Sequence, residues 1–172
     1  MFDSIQLIDG LHMYQDHDTE LPFLGDTRQF VIDVQTGNVI SDRQPSFTFE
    51  GSHTTSIKIN LSGRRVTISR GNPSKINRLD NLFGYKTIDE CVFVYNQILL
   101  SLGLPHFTKC TKTWQLTGED GKRVFTASNG AVITEIHTTT NKSVGQDNVS
   151  DYLRGISTQR LRNSIPHLAP NG

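Results

Sequence analysis

Three features of the sequence predict an α+β fold with a mainly antiparallel sheet and two packed helices. Short segments of alternating polarity recur along most of the chain. Gly- and Asn-containing turn signals separate them, the arrangement expected of consecutive antiparallel strands. Only two stretches, 88–102 and about 149–162, carry apolar residues at helical intervals.

The elements follow in order. Ser4 to Asp9 alternates, with Ile5 and Leu7 against Ser4 and Gln6, although Ile8 falls out of phase. An acidic, turn-rich stretch runs from Tyr14 to Asp26. Phe30 to Val34 forms a second apolar run, closed by the turn signal Thr36-Gly37-Asn38. Ile57, Ile59 and Leu61 alternate with Lys58 and Asn60. Ser62-Gly63 offers a tight turn, because glycine accepts positive φ. Val66 and Ile68 then resume the apolar face, while Arg65, Thr67 and Ser69 take the other. The expected product is a hairpin with one greasy face and one basic, hydroxyl-rich face. Residues 71–86 read as a polar loop.

The clearest helix spans 88–102. Thr87 and Glu90 have capping-box spacing. Ile88, Val92, Tyr95, Leu99 and Leu102 form its stripe, and Gly103 and Pro105 end it. Phe107 to Leu116 alternates again, Asp120-Gly121 and Asn129-Gly130 are turns, and Ala131 to Thr139 is a β-branched strand. Asp147 is a cap for the second helix, which carries Val149, Tyr152, Leu153, Ile156 and Leu161, with Arg154, Arg160 and Arg162 projecting from it.

Composition narrows the function classes. A chain of 172 residues is long enough for one domain with a real core. No apolar run approaches the ~18 residues of a membrane span, and no basic-then-apolar leader opens the chain. Cys91 and Cys110 are too few for a disulfide scaffold and form no C-x-x-C zinc signature, so reduced thiols in a cytosolic protein are expected. The net charge of zero hides a split: residues 1–50 sum to −7 and residues 51–172 to +7. The second part therefore either offers a surface to polyanions or neutralises the first across the fold.

The run Ala131 to Thr138 is the most informative for chemistry. Alternation puts Ile133, Glu135 and His137 on one strand face. A carboxylate and an imidazole at i, i+2 sit roughly 7 Å apart at Cα. They can serve as two ligands of one magnesium or manganese ion completed by water, or simply meet solvent. Asp16-His17-Asp18 is a weaker metal candidate and fits a solvated acidic loop. His12 and His53 read as structural or exposed, and His106 as a helix-exit cap. Walker, dinucleotide, zinc-protease and serine-elbow motifs are absent. Arg64, Arg65, Arg70, Lys75, Arg78, Lys109 and Lys112 lie on polar loops or strand faces suited to phosphate contacts, with Tyr or Trp neighbours able to stack bases. Each alone also fits an ordinary solvated charge.

Several strings together resemble a known family. They are Glu50-Gly51-Ser52-His53-Thr54-Thr55-Ser56, Gly63-Arg64-Arg65-Val66, Gly71-Asn72-Pro73-Ser74, Asn77 to Gly84, Leu102-Gly103-Leu104-Pro105, Gly130 to Thr134 and Arg162-Asn163-Ser164-Ile165-Pro166. The resemblance is to the N-terminal region of filamentous-phage rolling-circle replication initiators of the gene II and gene X type, and it covers about residues 46–172. Residues 1–45 then form an acidic N-terminal segment.

The resemblance implies an initiator fold of the HUH type and a metal-dependent endonuclease that nicks and rejoins one strand of origin DNA through a phosphotyrosine. Its metal ligands come from one central strand, usually two histidines flanking a hydrophobic residue, and Glu135-Ile136-His137 is an acidic variant of that pattern. The implied cofactor is Mg or Mn. The implied partners are origin DNA, as single strand or melted duplex, with host helicase and polymerase, in the cytoplasm of the bacterial host. The family's catalytic tyrosine lies on a later segment. Tyr152 is the weak candidate here, on a helix whose other residues mark it as a packing residue. The expectation is a chain whose C-terminal catalytic part is missing, and whose own nicking is absent or very slow. Two other functions fit the sequence: a non-catalytic origin-binding regulator, and a protein-interaction domain with no nucleic-acid role.

Overall fold

A computed structural model describes residues 4–157, with the exception of 26, 54, 80–82, 119 and 120. Contacts divide the chain into two units, Gln6–Thr139 and Met1–Ile5 with Thr140–Gly172.

The larger unit holds a five-stranded sheet of order β4-β5-β6-β1-β9, all but the start of its first strand in the chain and the end of its last. Its strands are β1 (Ser4–Asp16), β4 (Phe47–Glu50), β5 (Ser56–Ser62), β6 (Arg65–Arg70) and β9 (Val132–Lys142). The β4–β5, β5–β6 and β1–β6 pairs are antiparallel. Along the β1–β9 seam Asp9 meets Thr139, Gly10 meets His137 and His12 meets Glu135, so that pair runs antiparallel as well. Two hairpins form separate two-stranded sheets, β2 (Gln29–Ile32) with β3 (Val39–Arg43), and β7 (Thr113–Thr117) with β8 (Val124–Ser128).

The expected two-faced hairpin is present, because β5 and β6 alternate as their side chains do. Ile57, Ile59, Leu61, Val66 and Ile68 are buried. Leu11 and Met13 of β1 continue this apolar face, and helix α1 (Ile88–Ser101) covers it with Cys91, Tyr95, Ile98 and Leu99. Burial of the Cys91 thiol beneath the sheet pushes its pKa up to about 12 and keeps it inert. The Tyr95 hydroxyl donates to the Leu11 carbonyl at 3.0 Å, tying α1 to β1. The capping box at Thr87 and Glu90 forms as predicted.

Ile8 is out of phase for a reason that the fold supplies. Ile8 and Leu11 both enter the core, so the side-chain alternation of β1 slips at Asp9-Gly10. Gly10 lies so close to β9 that an added Cβ would stand 2.7 Å from His137 Cδ2.

The segment 71–86 is less loop-like than its polarity predicts. Asn72 caps a short 3-10 turn at Pro73–Lys75. The buried Ser74 hydroxyl donates to the Ile8 carbonyl and accepts from Tyr85 N at 2.8 Å. Those bonds latch the segment to β1 and fix Lys75 against the sheet.

The smaller unit contains the second helix, α2 (Val149–Ser157). The expected extension of that helix to 162, with Leu161, Arg160 and Arg162, lies outside the described residues. So do the closing residues 158–172, Asp80-Asn81-Leu82 of the matched strings and Asp120 of the hairpin turn. No helix among the described residues is long and apolar enough to cross a membrane.

Candidate metal centre and phosphate cavity

The face of the sheet turned away from α1 is polar. Ser56, Lys58 and Asn60 line it on β5, and Arg65, Thr67 and Ser69 on β6. The pairing of Tyr14 with Thr67 and Asp16 with Arg65 places the polar residues of β1, His12 among them, on the same face. Asn60 donates to Ser69 across the hairpin at 2.7 Å.

His12, Glu135 and His137 converge there. Glu135 Oε2 lies 2.8 Å from His12 Nδ1, and Oε1 lies 3.1 Å from His137 Nε2. The imidazole centroids are 5.3 Å apart, and one ligand atom from each of the three residues falls within 4.8 Å of the others. Glu135 and His137 thus share a face, as their spacing predicts. Two corrections apply. β9 is an edge strand among the described residues, not an inner one. And His12, read from sequence as structural or exposed, supplies the third donor from the neighbouring strand. His12 and Glu135 are 123 residues apart, and no local pattern announces a partner at that distance.

The donor set fits a divalent cation. One ligand atom from each of the three residues lies within 4.8 Å of the others, close enough for all three to reach one ion at about 2.0–2.2 Å once the Glu135 hydrogen bonds give way. Two imidazoles and one carboxylate suit a divalent first-row metal ion and leave positions open. Asp9 lines a cavity with His12 and His137 but does not join the ligand group. Asp9 Oδ1 is buried without a hydrogen-bond partner among the described residues, while Oδ2 accepts from the Thr139 hydroxyl. An orphaned carboxylate oxygen is costly to bury unless a proton donor or cation answers it.

A cavity of about 590 Å³ opens beside these residues. Asp9, Gly10, His12 and His137 form one wall. Thr55, Ser56, Ser69, Arg70, Gly71, Asn72 and Lys75 supply the remainder. The site therefore sets a candidate cation centre against two basic side chains and several hydrogen-bond donors.

The other basic candidates do not join it. Arg65 makes a two-pronged pair with Asp16, at 2.6 and 2.8 Å, and its guanidinium lies 4.5 Å over the Tyr14 ring. The hydrogen bond from Arg65, opposed by partial burial, holds the Asp16 carboxyl below its usual range. Arg78 lies over Tyr85 and donates to the Phe83 carbonyl. Arg64 is exposed at the β5–β6 turn, and its carbonyl accepts from His17 N. Lys109 borders an apolar groove beside α1, and Lys112 sits at the foot of β7. The run Asp16-His17-Asp18 assembles no ligand group among the described residues. Asp16 is engaged by Arg65, and His17 turns inward with Nε2 buried, where loss of hydration lowers its pKa. Tyr152 lies half exposed on α2.

No protein-family model matches the chain, and no solved structure matches it. A curated protein does. The chain is 44% identical over 116 residues to a replication-associated protein of Escherichia phage If1, an alignment covering 67% of this chain and 36% of that protein. The aligned part thus spans about a third of the relative's length. The identity bears out the resemblance read from the sequence: this chain is a homologue of a filamentous-phage replication-associated protein.

Proposed function

We propose that this chain binds single-stranded or melted origin DNA during phage replication and presents a scissile phosphodiester to a divalent cation. The observation that carries this reading is one cavity lined both by His12 and His137 of the His12–Glu135–His137 group and by Arg70 and Lys75. His12, Glu135 and His137 hold the ion, which would polarise the phosphate and offset the charge that develops on it. Arg70 and Lys75, which line the same cavity, clamp the non-bridging oxygens, and Ser56, Ser69 and Asn72 add neutral donors. Arg64, Arg65, Arg78, Lys109 and Lys112 lie outside this cavity and serve the flanking backbone, each in the local setting described above.

In initiators of the type this chain resembles, a tyrosine hydroxyl attacks phosphorus, and the bond to the 3′ oxygen breaks as that oxygen takes up a proton. The products are a 5′ phosphotyrosine and a free 3′ hydroxyl, and reversal rejoins the strand. Host helicase and polymerase then act on the opened strand in the bacterial cytoplasm.

A second reading has its own support. None of Tyr14, Tyr85 and Tyr95, the tyrosines of the larger unit, lines the cavity. Tyr95 is buried, and burial raises its pKa. A chain without a nucleophile at the phosphate would occupy the origin as a regulator. One experiment separates the readings: incubation with supercoiled origin plasmid and Mg²⁺ or Mn²⁺. Relaxed circles with a covalent protein–DNA adduct support the nicking reading. Binding that the ion strengthens, without either product, supports the cation reading with the nucleophile elsewhere; binding indifferent to the ion supports the regulator, and no binding at all refutes both.

A further inference from the structure

The β7–β8 hairpin carries a feature that the cavity does not use. Its register pairs Trp114 with Ala127 and Leu116 with Phe125. Alternation therefore puts all four apolar side chains on one face. Thr113, Gln115, Thr117, Thr126 and Ser128 lie on the other, with Val124. The apolar face is open: Trp114 is 40% exposed, Leu116 50% and Phe125 51%. Two-stranded hairpins are marginal in water, so such a face calls for an occupant.

The base of the hairpin is braced. Asn129 Oδ1 accepts from the backbone N–H groups of both Thr111 and Lys112, at 3.0 and 2.9 Å. Gly130 packs directly on the Cys110 backbone. The platform is thus held in position while its apolar face stays open.

Charge selects the occupant. Residues 109–128 carry Lys109, Lys112, Lys122 and Arg123 against Glu119 and Asp120. Exposed aromatic rings with a surplus of bases match a single-stranded polyanion, whose bases stack and whose phosphates pair with cations. The other exposed apolar hairpin, β2–β3, makes the contrast. Phe30, Val31, Ile32, Val39 and Ile40 are half exposed or more. Residues 25–43, counted from the same distance before the first strand, hold Asp26, Asp33 and Asp42 against Arg28 and Arg43, and Arg28 is already paired with Asp42, so this hairpin has no surplus of bases to offer phosphate.

We propose that the apolar face of β7–β8 is a base-stacking platform for single-stranded DNA, with Trp114 and Phe125 taking the bases and Lys112 a phosphate at the foot of the hairpin. This rests on the DNA-binding reading above, and it assigns a contact surface separate from the cation cavity.

Trp114 is the sole tryptophan, so its fluorescence reports on this face directly. The full chain is titrated with a fluorescein-labelled oligothymidylate at low salt, reading label anisotropy for binding and, with unlabelled oligomer, tryptophan emission for stacking. The expected result is binding with quenched emission. Trp114→Ala should weaken affinity about 5- to 150-fold, Phe125→Ala similarly, and Trp114→Phe should restore most of it. Circular dichroism checks that the variants fold, and quenching in the unmodified chain tests the platform even if one does not. Binding without quenching, and unaffected by Trp114→Ala, overturns the platform while leaving the DNA reading intact. No binding of any oligomer overturns both. Emission that shifts with protein concentration, self-association in sedimentation and no response to DNA would give the face to a second copy of the chain and overturn the proposal.

Discussion

Gly10→Ala tests whether the β1–β9 seam sets the cation site. An added Cβ would lie 2.7 Å from His137 Cδ2 and 3.0 Å from its Cβ and Cγ. Carbon atoms rest at about 3.5–4.0 Å, so the ring must retreat by roughly 1 Å. The His137 ring can swing toward solvent, since the side chain is 51% exposed, and the remaining 3.0 Å contact with its Cβ needs a shift of β9 by a few tenths of an ångström. Overpacking a core costs about 1–3 kcal/mol, and the lower end applies where the obstacle is a mobile side chain. A loss of about 1 kcal/mol lowers Tm by about 2–4 °C in a chain of this size.

Binding should suffer more than stability. The swing breaks the 3.1 Å approach of His137 Nε2 to Glu135 Oε1. Disturbing the support of a metal ligand typically costs about 10- to 100-fold in affinity, so Mn²⁺ affinity should fall at least about tenfold. Calorimetric titration with Mn²⁺ and a thermal melt on both proteins would measure the two effects. Gly130→Ala provides the contrast. Its Cβ would meet backbone, 2.6 Å from Cys110 N and 2.7 Å from Cys110 Cα. Nothing there can swing aside, and the cost should reach the upper end of about 3 kcal/mol. Unchanged Mn²⁺ affinity in Gly10→Ala, or a melt as damaged as that of Gly130→Ala, would refute the reasoning. Failure of the unmodified chain to bind Mn²⁺ would refute the cation centre itself.

Three further outcomes are expected. Tyr95→Phe removes the donor to the buried Leu11 carbonyl and should cost about 1–3 kcal/mol in urea unfolding; a loss below the error of the measurement would exclude that bond as the tie between α1 and β1. The Asp16 carboxyl is held low by Arg65, so its stabilisation is present above the unfolded carboxylate pKa of about 3.9 and is lost as pH falls through the lower folded value. Both side chains are about half exposed, which discounts the effect to below about 1 kcal/mol. Asp16→Asn should flatten the acid limb of the stability curve by that amount, and an unaltered limb would contradict the pairing. Finally, the slope of log affinity against log salt should shrink by about 0.7 in Arg70→Ala, one phosphate contact to a single strand, and by less in Arg65→Ala, whose guanidinium Asp16 already holds. Equal slopes for the two variants would dissolve the distinction between them.

Local elements were legible along the chain. The capping box at Thr87, the glycine turn at Gly63 and the two-faced hairpin of β5 and β6 are governed by neighbours a few residues apart, and all three stand as read. The resemblance to phage initiators was equally legible, because ordered strings survive in sequence without reference to space, and the 44% identity to a filamentous-phage protein agrees with it. Glu135 and His137 were found for the same local reason, a strand period of two. What they meet was settled by the assembled sheet. Its order places β1 between β6 and β9, and that placement brings His12 to Glu135 across 123 residues and aligns both with the face bearing Ser69. Alternation names the face of each strand but not its neighbour, since strand order depends on how the whole apolar surface is covered by α1. The same limit hid the division among the basic residues. Arg65 and Arg70 look alike in sequence, at the two ends of one strand, yet Asp16 from β1 takes one while the other reaches the cavity.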